Sequence, residues 1–345
     1  MQIYYSKKHK GHSFGLPNSG PADVDLYYEN PGRVDSILKA LRSTKWAEIL
    51  PPHNLGLEPI LQVHTVRYLD YLKDAYKNWM DYSDQANIAY VPYKPGFEPG
   101  TVKFDKIPDQ DGFFMTDMYV PFNMQTYAAA ISSAQCALSA AQTLVTQKQT
   151  TFALCRPPGH HSGPEVCGGF CYLNNAAIAA QWLSRLGKVA ILDIDYHAGN
   201  GTQAIFYERP DVLTISLHAD PAWEYPSFAG YAHETGSGRG KGYHQNYPLP
   251  HRTADELYQK TLALSLQLID KFSPDFLLVS AGFDTFLGDP LGDFEISRSG
   301  FSMVGRMISD MHLPTVLVLE GGYKIDELGA NVATLLIPFI LDVVN

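Results

Sequence analysis

The sequence predicts an α/β protein built on a central, mostly parallel sheet flanked by helices, with its functional site at the carboxyl ends of the strands. Short, continuous apolar runs alternate along the chain with longer segments of helical periodicity. Strands separated by helices pair in parallel through right-handed crossovers. Run after run is followed directly by His, Asp, Asn, Tyr and Gly, at the position where open α/β sheets bind ligands. No repeat or change of composition marks a boundary, so residues 1–345 are expected to form a single domain.

Gln2-Ile-Tyr-Tyr-Ser reads as a first strand, followed by a long loop rich in Gly, Pro and His over about 7–32. Apolar residues at helical spacing predict helices over 33–41 and 66–80, the second with Tyr68, Leu69, Tyr71, Leu72 and Tyr76 near one face. From about 86 to 123 periodicity is lost and Pro and Gly accumulate, which suits a functional loop or lid. Within it, Phe113-Phe-Met-Thr-Asp-Met-Tyr119 suits a pocket wall or a subunit interface. Strands are then expected at 151–155, 188–195, 212–218, 276–281 and 315–320, with helices at 126–146, 174–186, 253–272, 297–311 and 325–343.

The chain is long enough to bury a substantial core, and 45% hydrophobic with 18% charged residues is the composition of a folded globular protein. A net charge of −10 argues against nucleic acid and suits a cationic ligand, although acidity also serves solubility. Cys136, Cys155, Cys167 and Cys171 form no Cys-x-x-Cys and read as reduced thiols, which predicts a cytoplasmic protein. No signal peptide or membrane-spanning run is indicated.

The densest chemistry lies in Lys188-Val-Ala-Ile-Leu-Asp-Ile-Asp-Tyr-His-Ala-Gly-Asn-Gly201. Its apolar part suits a strand buried on both faces. Asp193, Asp195 and His197 alternate at the strand end and so share one face, and carboxylate oxygen with imidazole nitrogen suits zinc or a similar divalent ion. The other strand ends carry Arg156-Pro-Pro-Gly-His-His161, Ser216-Leu-His218, Ala281-Gly-Phe-Asp284 and Glu320-Gly-Gly-Tyr323. Asp284 can complete an Asp-His-Asp metal set, the tandem His pair can move a proton, and Tyr323 can donate to an oxyanion. The combination points to metal-assisted amide hydrolysis without a covalent intermediate.

These motifs, with Gly168-Gly-Phe-Cys-Tyr-Leu-Asn-Asn175, resemble the arginase/histone deacetylase superfamily over nearly the whole chain. The N-terminal region, including Pro31-Gly-Arg33 and Gly56-Leu-Glu-Pro-Ile-Leu-Gln-Val-His64, is similar to bacterial acetylpolyamine amidohydrolases. The resemblance implies one zinc held by Asp195, His197 and Asp284, with His161 as base and then acid, His160 as its electrostatic partner and Tyr323 polarising the carbonyl. It also implies that Asp193 pairs with His160 and Asn200 with His161. A potassium ion would involve Asp193, Asp195, His197, Ser216 and Leu217, and a second would lie near Phe206, Val212 and Tyr243. Phe170 and Tyr225 would wall the acyl channel.

Three positions depart from the family pattern. Ala198 replaces a common His, Tyr225 replaces a usual Phe, and Leu291 stands where the vertebrate polyamine deacetylase has an acidic gatekeeper. Bacterial polyamine enzymes carry an acid on the long loop, for which Asp117 is the candidate by position. The expected activity is removal of acetyl groups from N-acetylated polyamines, with protein acetyl-lysine as the alternative substrate, which Leu291 favours. A binding module without turnover is disfavoured because every catalytic position is present. A binuclear manganese ureohydrolase would need further ligands. The long loops suggest a homodimer.

Overall fold

A computed structural model of the chain describes residues 1–14, 28–82 and 111–341. Its strands are β1 (Gln2–Tyr5), β2 (Glu48–Leu50), β3 (Thr151–Leu154), β4 (Val189–Asp193), β5 (Val212–Ala219), β6 (His244–Leu249), β7 (Phe276–Ala281) and β8 (Thr315–Leu319). They form one sheet in the order β2-β1-β3-β8-β7-β4-β5-β6, with every neighbouring pair parallel. The helices are α1 (Gly32–Arg42), α2 (Glu58–Leu61), α3 (Val66–Tyr82), α4 (Asp111–Phe114), α5 (Thr126–Gln147), α6 (Asn175–Leu183), α7 (Asn200–Phe206), α8 (Asp255–Phe272), α9 (Arg298–Ser309), α10 (Ile325–Leu336) and α11 (Pro338–Leu341).

Strand alternation divides the core into two layers. Val189 and Ile191 of β4 and Val316 and Val318 of β8 pack with α3, α5 and α6 on one face. Ala190, Leu192, Leu317 and Leu319 pack with α1, α8, α9 and α10 on the other. Both faces are thus covered, which is why the strands read as unbroken apolar runs. Among the described residues no helix is long and apolar enough to cross a membrane.

The expected elements are present with small shifts of boundary. The predicted final helix over 325–343 is divided, because Pro338 cannot continue the α10 ladder and begins α11. β2, β6 and the short helices α2, α4 and α7 were not anticipated. β6, His-Gln-Asn-Tyr-Pro-Leu, is polar and contains Pro248, which is tolerated at the sheet edge. Pairing with β6 carries β5 through to Ala219, one residue past the expected end, so Ser216 and His218 lie inside the strand as expected. The loops expected at 7–32 and 86–123 fall partly on 15–27 and 83–110, outside the described residues.

Candidate active site

β4 ends at Asp193, and the next four residues continue along the sheet rim through hydrogen bonds from Ile194 N–H to Ser280 O and from Ala219 N–H to Tyr196 O. Asp195 and His197 therefore still emerge together, although both lie past the strand proper. Asp284, three residues beyond β7, meets them from the neighbouring strand. Donor atoms of Asp195, His197 and Asp284 all lie within 4.8 Å of one another. His197 Nδ1 is 3.4 Å from Asp195 Oδ1 and 3.2 Å from Asp284 Oδ2.

Backbone amides hold these carboxylates in place. Gly321 N–H donates to Asp195 Oδ2 at 2.8 Å, and Tyr196 N–H to Asp284 Oδ1 at 2.9 Å. Burial, reinforced by Asp195, pushes Asp284 up to about 7. Burial acts the same way on Asp195, but His160 and His197 outweigh it and draw its carboxyl below the ordinary range. Two buried carboxylates and an imidazole converging on one point, with their other atoms anchored, fit a divalent cation whose charge offsets the repulsion. Asp195, His197 and Asp284 are the residues that would hold it.

The tandem histidines follow β3 and occupy different electrostatic settings. His160 Nδ1 is 2.9 Å from Asp193 Oδ2, and its Nε2 is 3.6 Å from Asp195 Oδ1. Burial opposes its charge, but these two carboxylates prevail and raise it to about 10. His161 is driven well below the ordinary value by burial and by its neighbours His160 and His197. Its Nδ1 lies 2.7 Å from Asn200 Oδ1, an acceptor, so Nδ1 carries the hydrogen and Nε2 presents a lone pair. Gly169 lies against this ring, at φ +48°, where a Cβ would come 2.3 Å from His161 Cδ2. Only glycine fits there.

Tyr323 is positioned by residues that the sequence reading left without a role. Arg33, in α1, donates from Nε to Gly322 O at 2.7 Å and from Nη2 to Glu320 O at 2.5 Å, with its guanidinium 4.7 Å from the Tyr323 ring. Asp289 Oδ2 accepts from Tyr323 N–H and Lys324 N–H. Glu29 joins Arg33 at 3.1 Å and Arg156 at 2.8 Å, and all three side chains are fully buried. Glu320 Oε2 accepts from Gly159 N–H and His160 N–H, tying the His loop to the Tyr loop. Arg33, Arg156, Asp289 and Glu320 are far apart in sequence, and no local residue pattern links them.

A cavity of about 530 Å³ opens onto this centre and is lined by His160, His161, His197 and Tyr323, with Phe170, Tyr225 and Leu291 on its walls. Tyr196, Glu224 and Asp293 also line it. The Tyr196 hydroxyl lies 3.1 Å from both Glu224 Oε2 and Asp293 Oδ1. Neither acid was singled out from sequence. Asp117 is not among the lining residues, and its carboxylate accepts from Tyr225, Gly169, Thr116 and Tyr119.

Of the remaining predicted residues, Ser216 stands beside Asp193 in register across β4 and β5, with Leu217 next in the strand. His218, on the same strand, is occupied by Ser216 Oγ and Gly230 O. Phe206 closes α7, Val212 begins β5, and Tyr243 O accepts from Thr214 N–H.

Fold and site define a parallel α/β protein with an Asp-His-Asp cluster that could hold a metal ion and a histidine pair at the carboxyl ends of its strands. The histone deacetylase domain model matches residues 27–337, and the chain belongs to that family. It is 38% identical to acetylpolyamine amidohydrolase 1 of Pseudomonas aeruginosa over 97% of this chain and 98% of that protein. It is also 38% identical to the acetylpolyamine amidohydrolase of Mycoplana ramosa, with the same coverage. The crystal structure of the acetylpolyamine aminohydrolase from Burkholderia pseudomallei superposes with a TM-score of 0.91 at 35% identity, covering 98% of each chain.

Proposed function

We propose that this protein is a zinc-dependent amidohydrolase that removes acetyl groups from N-acetylated polyamines or related small cationic amines. The observation that carries the substrate class is the placement of Glu224 and Asp293 on the wall of the cavity that also contains His161 and Tyr323. A protonated amine on an extended acetylated chain is attracted to these carboxylates while the amide lies at the histidines. The polyamine-acting relatives and the acidic balance agree with this.

A bound zinc supplies Lewis acidity to the carbonyl and lowers the pKa of a bound water. His161 Nε2 takes a proton from the attacking water and returns it to the departing amine, its ring held by Asn200. His160, kept cationic by Asp193, stabilises negative charge nearby. The Tyr323 hydroxyl donates to the oxyanion of the tetrahedral species. One or two potassium ions remain part of the proposal, the first at Asp193, Asp195, His197, Ser216 and Leu217, the second at Phe206, Val212 and Tyr243. A homodimer is the proposed assembly, consistent with exposed Met118, Tyr119 and Phe228, and sedimentation tests it.

Zinc-loaded protein should release acetate from N-acetylputrescine and N-acetylspermidine, with KM raised at least fivefold in Glu224→Gln and Asp293→Asn. Turnover confined to acetyl-lysine peptides would remove this reading in favour of protein deacetylation, which Leu291 on the cavity wall supports.

A further inference from the structure

We propose that Asp117 is a positioning residue that ties both aromatic walls of the substrate channel, Phe170 and Tyr225, into one unit. The Tyr225 hydroxyl is the part of the tie that sets how thick an acyl-bearing chain can enter. The substrate-chain part rests on the function proposed above; the tie itself does not.

The segment carrying Asp117 is laid against the segment carrying Phe170. Cys167 N–H donates to Phe114 O at 2.8 Å, and Thr116 N–H to Cys167 O at 2.9 Å, around a parallel bridge between Met115 and Cys167. Asp117 then reaches across to the opposite wall. Its Oδ2 accepts from the Tyr225 hydroxyl at 2.6 Å, from Gly169 N–H at 2.9 Å and from Thr116 Oγ1 at 3.0 Å. Its Oδ1 accepts from Tyr119 N–H at 2.8 Å. Phe170 N–H donates to Tyr119 O at 3.1 Å, so Phe170 is held on both sides by groups that Asp117 anchors.

The phenylalanine itself stands at φ +67°, a conformation that a bulky residue keeps only when its surroundings impose it. The packing leaves no slack: a Cβ on Gly168 would fall 1.9 Å from Thr116 Oγ1 and 2.7 Å from Asp117 Oδ2. On the far side the Tyr225 ring is edge-on to His161, with centroids 4.9 Å apart, and to His197 at 6.1 Å. Its position is thereby referred to the reacting centre.

With four donors on its carboxylate, and without lining the cavity, Asp117 acts through the walls and leaves the substrate amine to other residues. A phenylalanine at position 225 would make no such bond. The tie is therefore a property of the Tyr225 and Asp117 combination in this chain.

Two measurements on Tyr225→Phe and Asp117→Asn test this. Hydrogen exchange over 113–120 and 168–172 reads the tie without reference to activity, and at least tenfold faster exchange is expected in both variants. The ratio of kcat/KM for N-acetylputrescine to that for an acetylated diamine with a methyl branch beside the amide nitrogen reads channel width. It should fall at least fivefold in both. Unchanged exchange in both variants overturns the tie; faster exchange with ratios within twofold of the parent overturns the channel-width role. Parent protein that turns over neither amine defeats the function proposed above and the channel-width role, while exchange still decides the tie. Tyr225→Phe removes a single oxygen, so it keeps the test available should Asp117→Asn fail to fold.

Discussion

His160 and His161 differ in their settings: burial with His160 and His197 holds His161 low, whereas at His160 burial is outweighed by Asp195 and Asp193, which hold it high. Nδ1 of His161 faces Asn200 Oδ1, and Nδ1 of His160 faces Asp193 Oδ2. A carboxylate against His160 favours the cation, and a neutral amide oxygen against His161 leaves a lone pair on Nε2. Tyr323 has a different setting: burial, which outweighs the neighbouring Arg33 cation, holds its phenol well above the ordinary value, so it stays a donor throughout the working range. If that hydrogen is donated to an oxyanion, Tyr323→Phe should lower kcat by on the order of a hundredfold or more while KM changes little. Steady-state kinetics on N-acetylputrescine checks this, and an unchanged kcat would remove the role. Asp195, His197 and Asp284 were legible in sequence because their residue types sit at strand ends next to glycine. Glu224 and Asp293 were not, since only the fold brings both to the Tyr196 hydroxyl.

Elements fix the loops on which these side chains stand. α1 supplies Arg33, which binds the carbonyls of Glu320 and Gly322 after β8 and the carboxylate of Glu29 together. A lysine cannot reproduce that fork. Arg33→Lys should cost about 2–4 kcal/mol, since it leaves buried acceptors unpaired, and should lower turnover through the Tyr323 loop; urea unfolding and kcat measure the two effects. Ser297 caps α9 by accepting from Gly300 N–H and also donates to Asp255 at the start of α8. Ser297→Ala should cost about 1–2 kcal/mol, with kcat retained, as unfolding and assay on one preparation would show. The central strands and long helices were legible because both sheet faces are covered. Three-residue β2 and the polar edge strand β6 were not, because edge pairing depends on neighbours and leaves little hydrophobic pattern. The Arg33, Glu29 and Arg156 chain was illegible for a related reason: each is an ordinary surface residue type until the fold buries all three together.

Across the whole molecule, closing both faces of the sheet leaves several histidines buried and neutral, which makes stability depend on acid. Burial lowers His9 to about 3, and His64 and His244 to about 4. A histidine whose folded pKa is depressed binds protons more readily in the unfolded chain. Its contribution to stability is therefore present above the unfolded value near 6.5 and is lost as pH falls from there toward 4, at up to about 1.4 kcal/mol per pH unit. The raised carboxyl of Glu320 acts in the opposite direction, because its protonation is favoured in the folded protein. A difference between two proteins isolates one group from this balance. His64 Nε2 accepts from Asn174 N–H at 3.0 Å, at the cap of α6, and a proton there would set donor against donor. His64→Gln can keep an acceptor near that amide but cannot titrate. At pH 7 the variant should be the less stable, through imperfect packing. Between pH 7 and pH 5 the gap should narrow by about 1–2 kcal/mol, because only the parent loses stability at this position. Urea unfolding of both proteins at the two pH values measures it, and a gap that stays constant would mean that His64 is not held neutral by the fold.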